Sequence, residues 1–228
     1  MTEPSAPDST TDGFDLDPIE IRVLGVLIEK AFVTPDAYPL SLNGIVTGCN
    51  QLTGREPVMS LSDGEVQAAV DRLMTRKLVS RRDQASGRVA KYEHLVRLRH
   101  SLPPAEQAVV AVLLLRGAQT AGEIRQRTER MYRFDDIGAV EAVLEHLAEK
   151  FPPMADALPR APGTKETRYA HLLGGTAAFE AMGESLAGAP SGGAARGRTT
   201  ELEDEVRRLR EELDRLRSDF DTFRAQFD

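Results

Sequence analysis

Apolar residues recur at helical spacing early in the chain, with Ile21, Leu24, Leu27 and Ile28 on one face. Just before them, Asp17-Pro18-Ile19-Glu20 reads as a helix start. It has an N-cap aspartate, proline at the first helical position and glutamate three residues after the cap. Thr34 to Leu40 holds two prolines and predicts an extended connector. Ser41 then caps a second helix carrying Ile45, Val46 and Cys49, and a Thr53-Gly54 turn followed by Pro57 interrupts the chain. Ser62-Asp63-Gly64-Glu65 is a further capping box and opens a third helix with Val66, Ala69, Val70 and Leu73 on one side. Leu78 to Arg82 and Val89 to Leu98 predict two strands around the turn Ala85-Ser86-Gly87.

The same pattern then appears again. Pro18-Ile19-Glu20 with Val23, Val26, Leu27 and Lys30 returns as Pro104-Ala105-Glu106 with Val109, Val112, Leu113 and Arg116. Val66, Ala68, Val70 and Leu73 return as Val140, Ala142, Leu144 and Leu147, and Lys91-Tyr92-Glu93-His94-Leu95 returns as Arg168-Tyr169-Ala170-His171-Leu172. In the second copy Thr120 to Glu123 is the capping box of helix two, and Asp135 or Asp136 caps helix three. Pro152 to Pro162 is a longer connector, with Gly163-Thr164 at the second hairpin tip. The first helices are offset by 86 residues and the third by 74, so the copies differ in their loops. Helix, helix, helix, hairpin is the order of a winged helix-turn-helix. The fold class expected is mainly α with small β-hairpins: tandem winged helix-turn-helix domains at 16–100 and 101–174, each with its own small core.

Residues 1–15 read as a disordered acidic tail, and 175–199 as a flexible linker, Gly/Ala/Ser-rich from Gly183 to Arg198. Residues 200–228 predict a coiled-coil helix. Leu202, Val206, Leu209, Leu213, Leu216, Phe220, Phe223 and Phe227 alternate spacings of four and three, a seam of about four heptads on the order of 40 Å long. With Val206, Leu213 and Phe220 at a, the g positions Glu205, Glu212 and Asp219 are acidic, and the e positions Arg210, Arg217 and Arg224 are basic. Parallel, in-register copies pair these charges; antiparallel copies oppose like with like. The expectation is self-association through a parallel coil.

Composition narrows the function. No apolar run approaches the roughly 20 residues of a membrane span, and the polar, acidic start has neither part of a signal peptide. A single cysteine, Cys49, excludes an internal disulfide and fits a reducing cytoplasm. It sits in an apolar helix pattern, as buried filler. No glycine-rich phosphate loop, His-Glu-x-x-His or paired cysteines occur, so neither a cofactor, a metal nor an enzyme is expected. His94 and His171 hold equivalent hairpin positions beside Tyr92 and Tyr169 and read as structural. The net charge of −7 lies mostly in the two tails.

Winged helices bind duplex DNA with the third helix in the major groove and the wing on the backbone. The first module offers Gln67, Arg72 and Arg76 on its third helix and Arg81, Arg82, Arg88 and Lys91 on its wing. In the second module the cations gather as Arg125, Arg127, Arg130 and Arg133. Against this, Asp63, Glu65 and Asp71 line the first recognition helix and Glu141, Glu145 and Glu149 the second. The leading expectation is a cytoplasmic, self-associating transcriptional regulator that binds double-stranded DNA. The rival is a protein-interaction scaffold built from the same modules, its partner another protein.

The stretch Thr34-Pro35-Asp36-Ala37-Tyr38-Pro39-Leu40-Ser41-Leu42-Asn43, continued by Cys49-Asn50-Gln51 and Arg55-Glu56-Pro57-Val58, resembles the signature of the YceH-like proteins of bacteria. The likeness spans roughly residues 16–174 and implies the same tandem winged-helix architecture. It carries over no catalytic or ligand-binding residue. Asn43, Asn50, Gln51 and Arg55 are read either as a binding surface or as caps and bridges for the loop between helices two and three.

Overall fold

The computed structural model describes residues 14–82, 89–160 and 166–188. The first half runs α1 (Pro18–Val33), a 3-10 turn (Pro35–Ala37), β1 (Leu40–Ser41), α2 (Leu42–Cys49), α3 (Asp63–Thr75), β2 (Val79–Arg82), β3 (Lys91–His94) and α4 (Val96–His100). The second runs α5 (Pro104–Arg116), β4 (Gln119–Thr120), α6 (Ala121–Thr128), α7 (Ile137–Glu149), β5 (Ala155–Ala157), β6 (Arg168–His171) and α8 (Gly175–Gly188). The chain is mainly helical with two small antiparallel sheets, ordered β1-β3-β2 and β4-β6-β5.

Local signals set the helix starts. Asp17 accepts from the amides of Ile19 and Glu20, Ser62 from Glu65, and Thr120 from Glu123, and each box is closed by the glutamate side chain. Asp136, not Asp135, caps α7. In the sheets, Leu40 pairs with Tyr92 and Gln119 with Tyr169, so each half places a two-residue strand beside its hairpin.

Four expectations are corrected. The two halves do not build separate cores: α1 and α5 make the most extensive helix contact, and one apolar cluster runs through both halves. Residues 23–28 of α1 and 106–115 of α5 are buried without interruption, so these helices are central rather than amphipathic. Gly25 lets them approach, since a β-carbon there would lie 3.0 Å from the Leu115 side chain. Second, Val96 to Leu98 is helix, not strand: ladder pairing stops at His94, and the Leu95 amide bonds back to Leu78. Third, the acidic tail is ordered by its fourteenth residue. Phe14 and Leu16 are buried, and the Leu16 amide donates to Leu173 at 2.8 Å. Fourth, the stretch read as a linker from residue 175 opens as α8.

The described residues up to 187 belong to one compact unit. The first hairpin tip with Arg88, the second tip at Gly163-Thr164 and the heptad seam from Leu202 to Phe227 lie outside the described residues. Among the described residues no helix is long and apolar enough to cross a membrane.

Candidate nucleic-acid interface

On α3 the candidate residues are engaged by the protein itself. The Gln67 amide donates to Asp71 at 2.8 Å and its oxygen accepts from the Tyr92 hydroxyl at 3.4 Å. Arg72 binds Asp17 and lies 3.5 Å from Glu20 Oε1. Arg76 approaches the same oxygen at 3.4 Å and donates to the carbonyls of Phe14 and Asp15 at 2.8 and 3.2 Å. Glu20 is only 1% exposed. Removing its cations leaves that buried carboxylate without an opposing charge. A phosphate that recruits Arg72 or Arg76 has to compete with that need.

The hairpin is different. Register sets Lys91 directly opposite Arg82, with Ser80 and Glu93 on the same face, while Arg81 shares the other face with Tyr92. Arg82 is 66% exposed at its side chain, and its Nε donates to Glu93 Oε1 at 2.7 Å. The Ser80 hydroxyl donates to that same oxygen at 3.0 Å. That carboxylate thus pairs with Arg82 of the facing cations. Arg81 is exposed on the opposite face.

Of the second cluster, only Arg125 and Arg133 come together, at the lining of one pocket. Arg127 turns to Gln119 and lies 3.6 Å from Glu123. Arg125 folds back on the carbonyls of Phe134 (3.3 Å) and Asp135 (2.9 Å). Arg130 and Arg133 are exposed. Arg168, which repeats Lys91, donates to Glu123 at 2.9 Å and to the Ala118 carbonyl at 3.0 Å. Burial raises the Tyr169 hydroxyl, and the exposed Glu141 and Glu145 raise it further. That face is acidic.

The motif residues mostly tie the loop after α2 to the body. Asn50 donates to the Leu61 carbonyl and accepts from its amide, both at 2.8 Å. Arg55, 6% exposed, donates to Gly48 (2.9 Å), to both oxygens of Glu29 (3.1 and 2.6 Å) and to Gln51 (2.7 Å). Burial alone would raise the Glu29 carboxyl, but the Arg55 bonds outweigh it and hold it below the usual range. Arg22 adds bonds to the carbonyls of Cys49 (3.1 Å) and Pro57 (2.6 Å). Asn43 alone of the four stays exposed. Cys49 is buried, which pushes its thiol up to about 12.

The family described as "Protein of unknown function, DUF480" matches residues 16–164. A UPF0502 protein of Azoarcus sp. (strain BH72) is 73% identical over 208 residues, covering 91% of each chain. Another, of Chromobacterium violaceum, is 49% identical over 175 residues, 77% of this chain and 80% of its own. A third, of Geobacter sulfurreducens, is 52% identical over 160 residues, covering 70% and 73%. The chain belongs to this family. The YceH-like resemblance is consistent with it.

Sequence reasoning missed a second feature inside the span that the UPF0502/DUF480 family covers. Glu20 and Glu106 occupy the same place at the start of α1 and α5, and both are buried. Each meets basic side chains at or just after the end of the third helix: Arg72 and Arg76 in one half, and in the other Lys150 (2.9 Å) with the His146 imidazole at 4.0 Å. These positions share the repeat's own offsets of 86 and 74, so aligning charge as well as apolar residues across the copies reveals the clamp.

Proposed function

We propose that this UPF0502 protein is a DNA-binding protein of two winged helix-turn-helix modules, a self-associating transcriptional regulator of the cytoplasm without catalytic activity or cofactor. The observation that carries this reading is the turn-side end of the β2–β3 ladder, where Arg82 and Lys91 face each other and Arg81 precedes them on the opposite face. Like charges directly opposed in a sheet destabilise it, and Glu93 offsets only one. A backbone phosphate resting on the pair relieves the repulsion, which is the positioning contact a wing makes on duplex DNA. The repeated order of strand, two helices and hairpin supports the winged-helix assignment. Because Arg72 and Arg76 are held by Asp17 and Glu20, the wing carries more of the affinity than α3. The heptad seam from Leu202 to Phe227 supplies the self-association: parallel copies tether several weak sites, which then add by effective concentration.

The test is titration of the full-length protein with sheared DNA of its own genome at low and physiological salt, with bound fragments sequenced. Enrichment of a few loci that survives physiological salt is the expected result. Reversing Arg81, Arg82 and Lys91 to glutamate weakens binding and lowers the salt slope by up to about three; unchanged binding refutes this wing.

A second reading, a protein scaffold, is favoured by the acidic exposed face of α7 and by Leu52, Leu98 and Phe151, which are 80, 79 and 83% exposed. Weak binding without enriched loci, lost as salt rises, selects it.

A further inference from the structure

The two halves diverge most where the second helix meets the third. In the first half the connector from Asn50 to Ser62 is long and pinned, with Asn50 clasping Leu61 on both its amide and its carbonyl. In the second half the connector spans only residues 129–136, and Asn50's place directly after the helix is taken by the exposed Glu129. Val46 in α2 is replaced at the equivalent position of α6 by Arg125. A pocket of about 290 Å³ opens here, lined by Arg125, Gln126, Glu129, Arg133, Phe134 and Ile137 among others.

Its chemistry is specific. Arg125 is held in place by the carbonyls of Phe134 and Asp135, so its guanidinium is already oriented at the wall. Arg133 is exposed and has no hydrogen-bond or ion-pair partner among the described residues. Phe134 is 5% exposed and fixed edge-on to Tyr132 at 4.8 Å, while Ile137 leaves 47% of its surface in water at the rim. Two guanidiniums and one carboxylate leave a single positive charge to balance, and Glu129 repels a second negative one. The volume lies at the small end of ligand sites.

We propose that this pocket binds a small organic monocarboxylate. The carboxylate bridges Arg125 and Arg133, and the apolar body lies against Phe134 and Ile137. A planar fork meeting two carboxylate oxygens explains arginine at these positions, and the apolar wall distinguishes such a ligand from a bare inorganic anion. The assignment stands whether or not the wing binds DNA.

The experiment is calorimetric titration of the full-length protein with benzoate and with isovalerate, and with benzylamine and sulfate as controls. Saturable one-site binding of at least one carboxylate is expected, with neither control saturating over the same range. Arg133→Gln, which removes no hydrogen bond or ion pair among the described residues, weakens it roughly tenfold or more, and Ile137→Asn weakens it while leaving the circular dichroism unchanged. Sulfate binding as tightly as the carboxylates reduces the pocket to a generic anion patch and overturns the proposal. Absence of saturable binding by either carboxylate, or binding indifferent to Arg133→Gln, overturns it as well.

Discussion

Stability of this chain should fall as pH drops from 7.5 to 5, and the two hairpin histidines set the amount. His94 and His171 stand at equivalent positions of β3 and β6, each with Nδ1 buried and unpartnered. Burial pushes both down to about 4, against the small opposing pull of Glu93 on His94. In the unfolded chain an imidazole titrates near 6.5, so between these values the unfolded state binds more protons than the folded one. Folding is therefore fully supported above about 6.5 and loses support as pH falls toward 4. At pH 5 a group with those two values has lost about 2 kcal/mol relative to pH 7.5, and two together about 4. Against a total of roughly 5–15 kcal/mol for a folded domain, that is a large share.

The window isolates the histidines from the carboxylates. Asp17 and Glu29 are held below the usual range, so the support they add is lost only as pH falls from their ordinary values of about 4 toward lower ones, mostly below this window. Burial also lowers His100, which acts in the same direction as the other two. Urea unfolding at pH 7.5, 6 and 5 measures the slope. His94→Gln combined with His171→Gln removes most of it, whatever the pair does to absolute stability. A flat profile in the parent, or an undiminished slope in the double variant, refutes the argument that these imidazoles are buried neutral.

Other substitutions probe packing and charge. Arg55→Met strips Glu29 of its main partner and leaves the Gly48 carbonyl without the Arg55 bond; it should cost about 3 kcal/mol in urea unfolding, with part recovered by adding Glu29→Gln. Gly48→Ala places a β-carbon 2.6 Å from Val26 Cγ1, on a stiff, fully buried side chain. The expected loss is about 1–3 kcal/mol, and a double-mutant cycle with Val26→Ala should show the two changes coupled rather than additive. Glu106→Gln removes the carboxylate that faces Lys150 and His146, so the melting temperature should fall; an unaltered melt means the second copy of the clamp contributes nothing to stability.

What the sequence makes legible is what neighbours decide. The capping boxes at Asp17, Ser62 and Thr120 act over three residues, and the structure forms all of them. β1 and β4 escape notice because two residues carry no periodicity; each exists only because a distant hairpin strand pairs with it. The merged core did have a signal. Ala108 to Leu115 is apolar at every position, and a helix without a polar face is buried on all sides, which two separate small modules do not provide. The candidate interface divides on the same principle. Arg82 and Lys91 meet through a short hairpin whose register the sequence suggests, whereas Arg72 meets Asp17 across 55 residues, a pairing that only the packing of α3 on α1 creates. A surface arginine near α3 therefore counts toward DNA binding only once the carboxylates packed against that helix are known; here Asp17 and Glu20 engage Arg72, and Glu20 engages Arg76, while Arg82 of the hairpin pairs with Glu93.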